Sequence, residues 1–413
     1  MSTRPVPDAE RDRPVLILSI SNGAGHIRTS EGIAAALRAV QPSVPVLIAD
    51  VADYMTPLAR FTHVTAYLWL VTRAPAVWDR IDRYQKRQTH TSPEWFYRRG
   101  CRRLFELAGR VRPRALVATE VGCCEIAALI KRDLSLDAPL VAVNNEHDAD
   151  RAWVQPEVDL YCLVSEQCGD ELIRQGALRE RIRVWGAPLA SGFDVDVDVD
   201  EGTREAVCRL LRLDPRKPLV LVAGGSEGMG RIEETTARLL RLEPSAPQLV
   251  VLAGRNERLR ARCERLGAGG GGEGLRVLGW MGPEQMPKLM RAADLMVSKL
   301  GSMFHEALAS GLPVVALEPP PGAERVQYRL LEEWQVGCPV RTLDEMCSTV
   351  AELLAHPHRL SAMREQARAH RRLDAAGRIA RWLAEASSRG QQAGETFQPA
   401  PDCGARLPSG VAC

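Results

Sequence analysis

The chain has no C-x-x-C pair and no cysteine–histidine grouping at zinc spacing, although 11 of its 413 residues are cysteine. The odd number, and the adjacent pair Cys123-Cys124 set in an apolar stretch, argue against a disulfide framework and for a reducing cytoplasm. No apolar run approaches the roughly 18 residues that a membrane-spanning helix needs. Residues 1–13 are polar, lack the apolar core of a signal peptide and are expected to be disordered. Positive and negative charges nearly cancel at net +2, so the overall charge gives no pull toward nucleic acid, and none is expected as a partner. Aromatic residues make up only 5% of the chain. That scarcity makes any local concentration of them informative.

What is present is a repeated rhythm of short apolar runs separated by amphipathic segments. Strands are expected at Pro14–Ile20, Val46–Ala49, Ala115–Thr119, Leu140–Asn144 and Leu160–Val164. After "GAPLASGFDVDVDVDEG" (Gly186–Gly202), which reads as a linker, the rhythm restarts. A second strand set is expected at Pro218–Gly225, Gln248–Gly254, Leu275–Trp280, Leu295–Lys299 and Pro313–Glu318. Strand–helix alternation of this kind predicts parallel sheets covered by helices on both faces. The expected organisation is an α/β domain over 14–190, a linker over 191–205, and a second α/β domain with the final helices over 206–386. A disordered tail is expected over 387–413, where Gly, Ser, Pro and Gln accumulate. Two such domains place a ligand in the cleft at the carboxyl ends of their strands.

The stretches that follow those strands carry the chemistry. "SNGAGHIRTSEGI" puts Gly23, Gly25 and His26 where a first strand gives way to a helix. Glycines let the backbone approach a ligand, the helix start offers free N–H groups, and a histidine titrating near neutrality can take a proton from an attacking hydroxyl. A turn histidine that merely caps the helix would look the same. "AGGSEGMGRIEE" repeats the device with Gly224, Gly225 and Gly228, suited to a diphosphate or to nothing more than a tight turn. "SKLGSMFHEALASGLPVV" adds Gly301-Ser302 at another strand end, with Glu306 one turn into the helix, where a carboxylate can accept from ribose hydroxyls. In "EPPPGAERVQ", Glu324 and Gln327 stand three apart, able to grip sugar hydroxyls from one helix side.

At these residues the sequence resembles the GT-B glycosyltransferases of the lipid-glycosylating branch, the monogalactosyldiacylglycerol synthases and bacterial diacylglycerol glucosyltransferases. The likeness runs from about Val15 to Ala384 through "GAGHIRTSEGI", "WVQPEVDLYCLVSEQ", "IRVWGAPLASGF", "GGSEGMG", "AGRNERL", "MPKLMRAADLMVSKLGS", "HEALASGLPVV" and "PPPGAE". It implies a GT-B fold, with a UDP-sugar in the second domain, an acceptor lipid such as diacylglycerol in the first, and inversion at the anomeric carbon without a metal or other cofactor. By the same resemblance Gly23, Gly25 and His26 form the acceptor loop. Gly224, Gly225, Gly228, Arg255, Asn256, Gly301, Ser302, Glu306, Glu324 and Gln327 contact the donor. The chain departs from the pattern at "NNEHDADRAW", where Asn145 and Glu146 replace Thr-Asp and Asp150 replaces a histidine, and at Lys299-Leu300-Gly301-Ser302 and Phe304-His305. Either His26 or Glu146 would then serve as general base.

The aromatics are concentrated. Residues 54–97 hold 9 of the 20, and residues 80–114 carry 11 Arg/Lys against 3 Asp/Glu. Aromatic rings beside cations suit an anionic lipid surface, with Trp69, Trp78, Arg83 and Arg87 as expected contacts; a core-facing helix with a solvated basic face would give the same pattern. The combined expectation is a hexosyltransferase peripheral to the inner face of the cell membrane. Alternatives are a different acceptor (a lipid-linked wall precursor or a small metabolite), an epimerase on the same fold, or a relative that binds a UDP-sugar or lipid without turnover.

Overall fold

The computed structural model describes residues 13–21, 24–85, 93–194, 201–242, 246–268, 272–317 and 325–395. Twelve strands form two six-stranded sheets in which every adjacent pair is parallel. The first comprises β1 (Val15–Ser19), β2 (Val46–Asp50), β3 (Ala115–Ala118), β4 (Leu140–Asn144), β5 (Leu160–Leu163) and β6 (Ile182–Val184). The second comprises β7 (Leu219–Ala223), β8 (Gln248–Leu252), β9 (Leu275–Leu278), β10 (Leu295–Ser298), β11 (Val314–Leu317) and β12 (Gly337–Val340).

Side-chain alternation explains why β1 is apolar throughout. Leu16 and Leu18 pack on one face with Leu104, Ile126 and Ile130, while Val15 and Ile17 pack on the other with Ile33 and Leu37. A parallel strand buried on both faces reads as a continuous apolar run, not as an alternating one. The edge strands β6 and β12 were not among the expected strands. "IRV" is three residues with an arginine at its centre, and "GCPV" contains glycine and proline, so neither carries strand propensity above its surroundings.

The strand order is β2-β1-β3-β4-β5-β6 in the first sheet and β12-β11-β10-β7-β8-β9 in the second. The chain therefore reverses its direction of winding between β1 and β3 and again between β7 and β10. Crevices open outside the carboxyl ends of strands at such points.

Three segments differ from expectation. Residues 201–205 belong to a helix, Glu201–Leu211, and not to the linker. The final helix, Ala375–Glu395, continues through 387–395, where a disordered tail was expected; residues 396–413 lie outside the described residues. That helix also leaves the second domain. Ile379, Ala380 and Leu383 are buried against Ile33 and Leu37 in the core of the first sheet. The i, i+1, i+4 spacing gives it one narrow apolar stripe, and the Ala24–Val40 helix supplies the matching surface. Leu383→Ala is expected to destabilise the first domain by roughly 2–4 kcal/mol, through lost burial and the cavity it leaves. Chemical denaturation followed by a probe in each domain would check this, and an unchanged first-domain transition would contradict the packing.

Candidate functional site

The expected site loops sit at the two switch points. His26 lies in the first turn of the Ala24–Val40 helix, directly after β1, and its Nδ1 is 2.7 Å from the carbonyl oxygen of Thr119 at the end of β3. A carbonyl only accepts, so Nδ1 carries the proton and the neutral ring keeps its lone pair on Nε2. The carbonyl is itself held. Thr119 is buried, its amide donates to Leu18 O at 3.1 Å, and its hydroxyl lies 3.1 Å from Ser19 Oγ. His26 is thus oriented by the sheet, as a positioned base must be. Gly23 lies outside the described residues. Gly25 packs close against the other domain, since a Cβ there would stand 3.1 Å from Ser302 Cβ.

The second sheet contributes its loops from β7 and β10. Gly224 O accepts the Met229 amide at 2.7 Å, closing the loop on itself. At Gly228, φ is +60° and a Cβ would meet Leu259 Cδ2 at 2.3 Å, whereas Gly225, at φ +73°, faces open space. Of these three glycines, Gly225 is the one that leaves room for a ligand along the backbone. Asn256, expected at the donor, is committed elsewhere. Its Nδ2 donates to Glu227 O at 3.1 Å and its Oδ1 accepts the Leu259 amide at 2.9 Å, so it ties the glycine loop to the helix that follows. Gln327 is likewise buried, its Oε1 accepting the Gly301 amide at 3.0 Å; it shapes the loop and spends that N–H. Glu324 lies outside the described residues.

Gly25, Arg28, Ser302 and Glu306 line one pocket, with Leu189 and Phe193 of the interdomain segment behind them. Glu306 is half-buried, and desolvation pushes its carboxyl up to about 7 against the opposing pull of Arg28. Arg28 and Arg255 both stack on Trp280, at 4.3 and 4.4 Å from the ring centre. Trp280 and Arg28 were not among the expected site residues. Only their position beside "GW" and "GHIR" could have signalled them.

The departing segment Asn144–Trp153 joins the domains. Asn145 Nδ2 donates to Thr29 Oγ1, and His305 Nε2 donates to the Asn145 carbonyl at 3.0 Å. His147 stacks on His305 with ring centres 5.2 Å apart and planes at 19°. Burial pushes His305 down to about 4, against its hydrogen bond to Asn145, and pushes His147 down to about 2, with His305 adding to the fall. Both are neutral imidazoles packed as ring surface. Asp150 caps the short Arg151–Trp153 helix, its Oδ1 accepting the Ala152 amide at 3.2 Å. Glu146 is exposed, and its amide donates to Asn144 Oδ1 at 2.8 Å.

Trp69 and Trp95 are each 59% exposed, on helices Ala66–Arg73 and Glu94–Gly100, with Leu58, Phe61, Val77 and Tyr84 also exposed nearby. Trp78 differs: its ring packs edge-on against Tyr67, with centroids 4.8 Å apart. Arg83 falls in the Pro75–Gln85 helix, and Arg87 lies outside the described residues. Part of the basic run is neutralised, since Arg98 bonds Asp133 at 2.7 Å and Glu94 at 3.0 Å. Among the described residues no helix is long and apolar enough to cross a membrane, and no three His, Cys, Asp or Glu side chains gather as a metal site.

Two loop sets facing each other from paired parallel sheets leave a cleft between the domains, and known proteins share this arrangement. Residues 26–189 match the model for monogalactosyldiacylglycerol (MGDG) synthase, and residues 228–356 match that for glycosyl transferases group 1. The chain has the two-domain GT-B fold, and each half is similar to glycosyltransferases. The processive diacylglycerol beta-glucosyltransferase of Bacillus licheniformis is 23% identical over 363 residues, 86% of this chain and 90% of that protein. The protein of the same name from Bacillus subtilis is 24% identical with the same coverage. In fold the chain is similar to the solved MurG of Acinetobacter baumannii, with a TM-score of 0.55 at 13% identity over 90% of this chain and 99% of that one.

A carboxyl held at about 7 when folded and near 4.5 when unfolded leaves the folded protein binding more protons between those values. The contribution of Glu306 to stability is therefore present below about pH 4.5 and lost as pH rises toward 7. His147 and His305 act with the opposite sign, because their depressed values remove stability as pH falls below 6.5. Comparison with Glu306→Gln cancels the histidines. The variant should gain stability relative to the wild type from pH 4.5 to 7 and hold that gain above. Denaturation across that range would check it, and a pH-independent difference would contradict it.

Proposed function

We propose that this glycosyltransferase moves a hexose, glucose by analogy with its named relatives, from a UDP-sugar to the hydroxyl of a diacylglycerol-type lipid at the inner face of the cell membrane. The observation that carries the reading is the fixed tautomer of His26. Its Nδ1–H is spent on Thr119, and a proton-accepting Nε2 is held at the switch point of the acceptor domain, on the helix that abuts Ser302. In this reading Nε2 takes the proton of the lipid hydroxyl as its oxygen attacks the anomeric carbon from the face opposite the departing diphosphate, inverting that centre. The donor lies along the Gly225 loop and the Gly301-Ser302 helix start, where backbone N–H groups and the helix dipole stabilise charge on the leaving group without a metal. Glu306 serves the ribose. Glu146, exposed and away from the Thr119 network, is the second candidate for base.

The exposed Leu58, Phe61, Trp69 and Trp95 would seat the acceptor domain on lipid, with nearby arginines supplying about 1 kcal/mol each at an anionic surface. Trp69→Ala with Trp95→Ala should reduce co-sedimentation with phosphatidylglycerol-containing vesicles several-fold while leaving UDP binding intact; unchanged sedimentation would remove this face from the membrane.

The direct test is UDP release from a panel of UDP-sugars, with and without diacylglycerol in anionic micelles. Lipid-dependent release with one sugar supports the reading, and release that responds only to another acceptor redirects it. His26→Ala should lower turnover by roughly 10²-fold or more with UDP affinity retained. A variant with wild-type turnover would pass the role of base to Glu146.

A further inference from the structure

Arg28 begins in one domain and ends in the other. It sits two residues after His26 on the Ala24–Val40 helix, yet its Nη2 donates to the Met281 carbonyl at 2.5 Å and its guanidinium carbon lies 4.3 Å from the centre of the Trp280 ring. Arg255, from the second domain, stacks on the same ring at 4.4 Å. The reach is possible because Gly25 lets the helix start approach Ser302 to within contact.

Two guanidinium groups on one indole repel each other, so the arrangement needs compensation. The ring face attracts both cations, and Glu306, which lines the same pocket as Arg28, supplies the opposite charge. The flat guanidinium fork can stack and donate at once, which a lysine ammonium does less well. Trp280 is 40% exposed, a large ring within reach of both arginines.

We propose that Arg28 is the closure latch of the cleft, a positioning residue that seizes Trp280 and Met281 of the donor domain and so brings His26 into line with the Gly301–Glu306 segment. Because His26 and Arg28 share one helical turn, fixing one across the cleft fixes the direction of the other. When the latch is open, water reaches the anomeric carbon and takes the place of the lipid hydroxyl: the same carbon–oxygen bond to the diphosphate breaks, and free hexose forms with UDP. The latch therefore governs the partition between transfer and hydrolysis.

The test is a double-mutant cycle of Arg28→Ala and Trp280→Ala with two readouts. Small-angle X-ray scattering should show a larger radius of gyration for each single variant, and the double variant should expand no further than either, since both remove one contact. With UDP-sugar and lipid, the ratio of hydrolysis to transfer should rise roughly tenfold, the scale of a lost charge-assisted hydrogen bond. Arg28→Lys keeps the helix and the charge beside Glu306 but not the flat fork, and should expand as Arg28→Ala does. Unchanged scattering, an additive double variant, or full compaction with lysine would each overturn the latch. The partition readout rests on the glycosyl-transfer reading whereas the scattering does not. A wild type that turns over no lipid would sink the proposed function and leave the latch to stand or fall on its shape.

Discussion

Everything chemical in this molecule depends on the winding reversal of two parallel sheets. Where the order reverses between β1 and β3, the helix after β1 and the residue after β3 come together, and there His26 meets the Thr119 carbonyl. The same reversal between β7 and β10 separates the Gly224 loop from the Gly301 loop and holds both open toward the first domain. A strand has no freedom to choose its neighbour's exit, so a handful of side chains inherit their positions from the order of hydrogen bonding in the sheets. Mutating a loop changes a contact, but changing the strand order would remove the site.

That dependence explains what could be read from the sequence. The strands of both domains were legible because short apolar runs alternate with amphipathic segments, and ten of the twelve described strands appear within a residue or two of their expected limits. The edge strands were not, since "IRV" and "GCPV" are held by their neighbours rather than by their own composition. Motif spacing placed His26, Gly225, Ser302 and Glu306 at strand ends. It could not tell a glycine that faces a ligand from one that faces its own loop, or an asparagine that binds from one that caps, because Gly228 and Asn256 have the residue types of a binding loop and the contacts of a scaffold. The final helix misled for a similar reason. Its apolar stripe says that it packs, and nothing local says on which domain.

The departures at Asn144–Trp153 and Phe304-His305 make sense as a single repacked contact. Asn145 donates to Thr29 and accepts from His305, His305 stacks on His147, and Phe304 lies edge-on to both His147 and His305. The contact joins two segments about 160 residues apart, and Asn145, Phe304 and His305 are among the departures from the pattern that the sequence resembles. Together they pack into one contact, although Asn145 Oδ1 and His147 Nε2 are buried in it without a hydrogen-bond partner. A neutral imidazole at the interface costs little to bury when its N–H has a carbonyl to meet, which His305 has in Asn145. Changes that look like erosion of an active site one at a time therefore form a coherent interdomain surface when taken as a set.

The electrostatics of the cleft follow from the same closure. With the domains in contact, Glu306 is desolvated and its carboxyl moves up toward neutrality, while Arg28 enters from the opposite wall and pulls it back. If the domains separated, water would reach the carboxyl and Arg28 would leave, and the two effects would vanish together. The charge state of Glu306 is thus tied to the position of a helix in the other domain. The cation that favours ionisation of Glu306 arrives on the helix that also carries His26. Closure therefore acts on Glu306 in two opposed ways, raising its carboxyl through burial and lowering it through Arg28, and burial is the larger effect.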